Sequence, residues 1–346
     1  MRYIHSIHSA PMGPTWSNAD MLQVYEPLVE RLPLPDETIS ELLDFLRFQL
    51  IGERSRQTCL PEFQNPGGFA ERAATAEAGV ERGLLGLAEQ IDRDGEPFDA
   101  VIGITSTAGI MPGISYRMAH HLGSGVRSDA LMVDIAHAGC TAGFQALRLV
   151  STLSESIRRV LLVSVETPTT LVSFDSLKRD VWQGNCTFGD GCVAVTLGHG
   201  EPSGLALELE LLETRQWSGE GLDLIRWGYG SYYQFALRDE KRFDADVREY
   251  VAGTLREREA DWKSEPRWAI HPAGIALLVR LSRKLGIPGN AIAPSTAHYR
   301  RFSNMSSVSL LQIVGEVAAD LEPGAAINLL SMGAGFSVCY GRVRRA

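Results

Sequence analysis

The chain has 346 residues, 45% of them hydrophobic, 8% aromatic and 22% charged, which is the make-up of a globular protein with a large core. With 33 basic against 42 acidic residues its net charge is −9, which argues against a nucleic-acid partner and leaves an acidic carrier protein in need of a local basic patch. Five cysteines without a C-x-x-C pair exclude a disulfide scaffold, and no apolar run is long enough to span a membrane.

From the N-terminus, "MRYIHSIHSAPMG" has no apolar leader core, so a reduced, cytoplasmic setting is expected. Residues 32–52 place Ile39, Leu42, Leu43, Leu46 and Leu50 on one helical face, after two prolines and before Gly52. A second helix is predicted over 69–91, then a buried strand over 98–105, a helix over 113–123 and a strand over 130–136. A helix over 141–157 and a strand over 159–167 follow, and "NCTFGDGCVAVTLGHG" ends this stretch in a glycine turn and a strand. Cys186, Cys192 and His199 within it are not spaced as zinc ligands, and no metal is expected.

Past residue 200 a similar order returns. Residues 205–213 alternate as a strand, 244–262 form a long amphipathic helix, and 266–271 a short strand. Helices over 273–286 and 306–321 precede two closing strands split by Gly333–Gly335. Alternating elements predict a layered α/β fold with mostly parallel, buried strands. Because both stretches end in strand, glycine turn and strand, one body of two duplicated halves is expected, 1–200 and 201–346.

Three residues could carry chemistry. Cys140, in "AHAGCTAG", stands where a strand gives way to a helix. A helix N-terminus favours a thiolate, the nucleophilic form, and small neighbours admit a carbonyl; the alternative is a small packing residue. His271, in "WAIHPAG", ends a strand before a proline and is either an acid–base group or a loop histidine. His137 is its nearest competitor, ahead of the remaining histidines. Asn304, in "SNMSS", reads by itself as a helix cap, "FGDG" as a turn, and Met111 as a core residue. No G-x-S-x-G, Walker A or H-E-x-x-H motif is present.

In their order along the chain these segments resemble the thiolase-superfamily condensing enzymes, over about two thirds of the sequence. The nearer relatives are β-ketoacyl-acyl-carrier-protein synthase III and the type III, chalcone-synthase-like polyketide synthases. "WAIHPAG" and "SNMSS" are closer to the polyketide synthases, and "GAGFSVCYGRV" to synthase III. The resemblance implies the duplicated, five-layered α-β-α-β-α thiolase fold and a Cys140–His271–Asn304 triad. It also implies an oxyanion hole from the backbone of Cys140 and Ala334. Phe188 resembles an acyl-channel gate, Met111 a dimer-interface residue, and Ser306 belongs to the asparagine's motif. Arg300 and Arg301, just before Asn304, are candidates for the phosphate of a thioester substrate.

The activity so implied is decarboxylative Claisen condensation of a Cys140-bound acyl group with a malonyl-type thioester, in polyketide or fatty-acid-like metabolism. Its substrates would be acyl-CoA or acyl-carrier-protein thioesters, with no cofactor, and the enzyme a homodimer. One alternative is an acyltransferase passing the acyl group to an alcohol or amine. Another is a cysteine hydrolase of α/β-hydrolase type, since "AGCTA" resembles a nucleophile elbow. A non-catalytic subunit of the superfamily typically lacks the cysteine that this chain has.

Overall fold

The computed structural model describes residues 1–91, 95–200, 203–230, 232–238, 240–258, 262–263 and 265–346, with backbone only at 240 and 241. Its strands are β1 (Arg2–Ser9), β2 (Thr15–Ser17), β3 (Ser55–Gln57), β4 (Phe98–Thr105), β5 (Val126–Ala136), β6 (Arg159–Glu166) and β7 (Gly191–His199). β8 (Leu207–Gln216), β9 (Ile225–Tyr229), β10 (Tyr233–Leu237), β11 (Trp268–Ile270), β12 (Ala326–Gly333) and β13 (Ser337–Arg345) complete them. The helices are α1 (Asn18–Val29), α2 (Asp36–Gln49), α3 (Phe69–Ala88), α4 (Ile114–Leu122) and α5 (Ala142–Thr152). They continue as α6 (Arg179–Thr187), α7 (Glu240–Arg256), α8 (Ile275–Leu285), α9 (Ala293–Phe302) and α10 (Ser307–Ala318).

Nine strands form one sheet in the order β11-β12-β13-β8-β1-β7-β6-β4-β5. Its two wings meet between β1 and β8, through Tyr3–Glu208 and Ile4–Leu207. The expected boundary at 200/201 adjoins residues 201 and 202, which lie outside the described residues, as do 259–261 of the helix predicted to reach 262. The strands are not mostly parallel. β4 runs parallel to β5 and β6, and β11 to β12, but the other pairings in the sheet are antiparallel. The reason is local: β12 turns back tightly into β13, and β7 returns against β6.

α5 and α10 make the central layer. α5 buries Ala142, Gly143, Phe144, Ala146, Leu147 and Val150 and exposes Arg148, Ser151 and Thr152 toward its C-terminal end, while α10 is buried along most of its length. They pack on each other and on strands of both wings. α3 and α4 cover the first wing from outside, α7 and α8 the second. Helix, sheet, helix, sheet, helix is the expected five-layered order.

The α5–α10 crossing depends on Gly143. A Cβ there would lie 2.4 Å from the Ser307 carbonyl oxygen and 3.2 Å from Leu311 Cδ1. Alanine gains about 1 kcal/mol of helix propensity, but overpacking against backbone costs roughly 1–3 kcal/mol. Gly143→Ala is therefore expected to lower the thermal midpoint by several degrees in scanning calorimetry; an unchanged or higher midpoint would mean that the crossing has slack.

Candidate active site

A cavity of about 360 Å³ lies where the layers meet, with mainly apolar walls. Cys140, Asn304, Phe188, Ser306 and Ala334 all line it. Cys140 sits in a short 3₁₀ turn, Gly139–Thr141, leading into α5. The backbone reverses there through positive φ at His137 (58°) and Gly139 (57°). The Gly139 N–H donates to Ser106 Oγ at 2.9 Å, and Ser331 Oγ donates to the Cys140 carbonyl at 2.9 Å. The β12–β13 turn presses against this site: a Cβ at Gly333 would come within 3.3 Å of Cys140 N and Cβ. Ala334, in that turn, is thus placed beside Cys140.

Asn304 is not a helix cap. α10 starts after Ser306, which makes no side-chain capping bond. Instead Asn304 is clipped alongside Phe188: its N–H donates to Thr187 O at 3.0 Å, and its carbonyl accepts from Gly189 N–H at 3.0 Å. Ser303 (φ 62°) and Ser306 (φ 51°) flank it in the left-handed region, a strained arrangement that the pairing with the "FGDG" turn holds in place. The Ser306 N–H donates to Asn304 Oδ1 at 2.8 Å. With Oδ1 so occupied, Nδ2 is the group free to donate toward the cavity. Both amide atoms lie 4.0 Å from Cys140 Sγ.

His271 stands apart. It follows β11, where its N–H donates to Leu330 O at 2.8 Å, and its ring is fully buried. Neither ring nitrogen has a hydrogen-bond partner among the described residues, and no bond joins it to Cys140 or Asn304. Among the described residues no carboxylate holds it as a hydrolase triad requires, so the cysteine hydrolase alternative has no support here. Phe188 packs edge-on against Phe235 with ring centroids 5.5 Å apart, both on the cavity wall. Met111 is 92% exposed and lies outside the cavity, so it is no core residue. Arg300 and Arg301 are exposed and away from the cavity; Arg301 lies 3.4 Å from Glu316. Arg226, exposed on β9, is the only Lys, Arg, Asp or Glu among the described residues of the wall.

The family model "Chalcone and stilbene synthases, N-terminal domain" matches residues 72–201. Type III polyketide synthase 10 of Oryza sativa subsp. japonica is 28% identical over 61% of this chain, and the match spans about half (54%) of the rice protein. A 1,3,6,8-tetrahydroxynaphthalene synthase from Streptomyces peucetius subsp. caesius is 26% identical over 82% of this chain and 79% of its own length. Among solved structures, the tetrahydroxynaphthalene synthase of Streptomyces coelicolor A3(2), a bacterial type III polyketide synthase, matches with a TM-score of 0.86 at 20% identity, covering 99% of both chains. CsyB complexed with CoA-SH matches with a TM-score of 0.81 at 20% identity over the whole of both chains. In sequence the chain is similar to type III polyketide synthases, and its fold is the thiolase-like fold of the solved ones.

In this polyketide synthase-like site the electrostatics depart from expectation at the nucleophile. Burial pushes the Cys140 thiol up to about 12, the nearby Glu166 carboxylate adds to this, and hydrogen bonds from Ser306 and Asn304 oppose it. A dry cavity thus outweighs the helix terminus, and the resting sulfur is a thiol. His271 is lowered to about 3, by burial first and by His298 second, so its ring is neutral. Glu166 is a site residue the sequence reading missed. It ends β6, is wholly buried, and accepts from Ser106 N–H (3.0 Å), Thr107 Oγ (2.6 Å) and Ser307 Oγ (2.5 Å). Burial raises its carboxyl above the usual range against those donors. Its one signal was an acid at the end of an otherwise apolar strand, "RVLLVSVE".

Proposed function

We propose that this chain is a ketosynthase of polyketide biosynthesis, joining a Cys140-bound acyl group to a malonyl-type thioester by decarboxylative Claisen condensation. The observation that carries the reading is Cys140 Sγ facing an oriented Asn304 amide at 4.0 Å in an apolar cavity. In the first half-reaction the sulfur attacks an acyl thioester. A new S–acyl bond replaces the old one, and the departing thiol takes up the proton that Cys140 loses. The Cys140 and Ala334 amides are the donors for the tetrahedral oxyanion.

In the second half-reaction the malonyl C–CO₂ bond breaks and its electron pair becomes an enolate. Asn304 Nδ2 and a neutral His271 N–H are the donors for the enolate oxygen, His271 by turning its ring to the cavity. The enolate carbon attacks the acyl carbonyl and Cys140 leaves as thiolate. No cofactor takes part. An acyltransferase would share the first half-reaction only, so release of CO₂ from a malonyl thioester coupled to ketide formation separates the two. The test is product analysis by mass spectrometry with acyl-CoA and malonyl-CoA; consumption of the acyl donor without a C–C coupled product would overturn the condensing reading.

CoA or a carrier protein would deliver the thioesters. Arg226, exposed on the cavity wall, would meet their phosphate, in place of Arg300 and Arg301. Arg226→Ala is expected to raise KM for malonyl-CoA about tenfold at unchanged kcat, roughly 1.4 kcal/mol of binding. It should leave a phosphate-free N-acetylcysteamine thioester unaffected; equal effects on both thioesters would rule the contact out. A second copy of the chain is the expected partner at β5, the outer edge of the sheet, where Leu131 and the nearby Tyr116 and Met111 expose apolar surface. No helix among the described residues is long and apolar enough to cross a membrane.

A further inference from the structure

Two arginines, Arg54 and Arg56, are buried with no acid to balance them. Among the described residues their hydrogen bonds run to backbone carbonyls, one side-chain amide and one phenol, and none to a carboxylate. Burial lowers the Arg56 guanidinium to about 10, and the neighbouring Arg54 charge adds to this, yet it stays protonated at neutral pH. A buried cation without a counter-charge is destabilising by itself, so it must be matched by what it holds.

Both hold the end of α6. A helix leaves its last carbonyls without partners of its own and with a partial negative charge. Arg56 Nη1 donates to Asn185 O at 3.2 Å and Cys186 O at 2.8 Å, and beyond the helix to Phe188 O at 3.3 Å. Arg54 Nη2 also donates to Cys186 O, at 2.9 Å. The carbonyl between these, Thr187 O, is the one that accepts the Asn304 N–H. Asn304 is therefore clipped onto a helix end whose position the two guanidiniums fix. The same segment reaches the other side of Asn304: Ser55 O accepts from Ser303 Oγ at 3.1 Å, and Ser55 Oγ donates to Arg301 O at 2.7 Å. Arg54 Nη1 donates to the Tyr299 hydroxyl in α9, the helix that leads into Ser303. Asn18 Oδ1 accepts from Arg54 Nε and from Arg56 Nη2, both at 3.2 Å, and orients the pair.

We propose that Arg56 is a positioning residue for Asn304: by fixing the end of α6 it sets the place from which the Asn304 amide meets the substrate. The inference rests on the reading of Asn304 as an enolate donor. Arg56 itself is not on the cavity wall. The Cys140 turn is held separately, through Ser106 and Ser331. The arginine therefore bears on the second half-reaction and not on the first. Nη1 alone makes the three carbonyl contacts, and an ammonium group also has three donors, so a lysine can stand in for it.

The experiment compares two properties of the full-length enzyme. One is malonyl-CoA decarboxylation, with kcat and KM measured separately; the other is the rate at which iodoacetamide alkylates Cys140, which needs no starter. Arg56→Met keeps an unbranched chain and removes the charge and the donors. It is expected to lower the decarboxylation kcat about 10–100-fold with KM nearly unchanged, the scale of a small misplacement at the reacting centre. Alkylation of Cys140 should stay close to the wild-type rate. Arg56→Lys should recover most of the decarboxylation. Asn18→Ala keeps both arginines but frees them to turn; it should show the same split at a smaller size, and it decides the matter where the Met variant does not fold. Full decarboxylation in Arg56→Met, beside a loss in Asn304→Ala, would overturn the positioning role alone. Equal falls in decarboxylation and alkylation would also overturn it, since the arginine would then hold the whole site and not Asn304. So would a Lys variant as slow as the Met one. Full decarboxylation in Asn304→Ala would remove the reading beneath it, and the proposal with it.

Discussion

Cys140→Ala is expected to end covalent acylation and to lower ketide formation by roughly 10⁴-fold or more, because no other group can take over a nucleophile's role. In intact-protein mass spectrometry, the wild type mixed with acyl-CoAs should gain the mass of one acyl group and the variant none. Other cysteines do not confuse the experiment: Cys59, Cys186, Cys192 and Cys339 are all buried, whereas Cys140 opens on the cavity. The variant should keep its fold, since alanine fits the space beside the Gly333–Gly335 turn. It should also keep decarboxylating malonyl-CoA, because Asn304 and His271, the groups assigned to the enolate, are untouched. That last outcome distinguishes a condensing site from a plain acyltransferase. An acyl adduct that persists in Cys140→Ala would move the nucleophile elsewhere and end this reading.

The parts of the molecule legible in the sequence are those where one physical pattern dominates. β4, β6 and β12 are long apolar runs, and α2, α3, α8 and α10 have clear helical periodicity. Cys140 was legible because small residues crowd it at a strand-to-helix junction. The β9–β10 hairpin was not, since glycines and tyrosines blur its alternation, yet it brings Arg226 and Phe235 to the cavity wall. α6 escaped notice because it is short and ends inside the segment read as a turn. Asn304 was the right residue in the wrong local structure, since pairing with Phe188, 116 positions earlier, decides its conformation. Glu166 and His298 are charged or polar types in fully buried places, and tertiary packing alone puts them there. Strand direction failed for a related reason: periodicity reports which face is buried, not which neighbour a strand pairs with.

His271→Ala is expected to slow malonyl-CoA decarboxylation about 10²–10³-fold, the usual cost of losing one preorganised donor to a developing oxyanion, while acylation of Cys140 goes on. The same substitution should alter acid stability. The folded ring resists protonation down to about 3, whereas the unfolded ring has the ordinary value of 6.5. Between these values the unfolded chain binds the extra proton, so this contribution to stability is complete above 6.5 and lost as the pH falls toward 3. From pH 6.5 to 4.5 the loss is about 2–3 kcal/mol. Urea unfolding at pH 7.0 and 4.5 would measure it, and the difference between the two pH values should shrink by about that much in His271→Ala. A wild-type pH difference that survives the substitution would mean that the ring is reached by water and charged at pH 4.5. Decarboxylation that also survived would leave Asn304 as the sole donor. The two measurements bear on one physical condition: a dry, neutral imidazole is costly to protonate and, for that reason, can present its N–H to an enolate without becoming a cation.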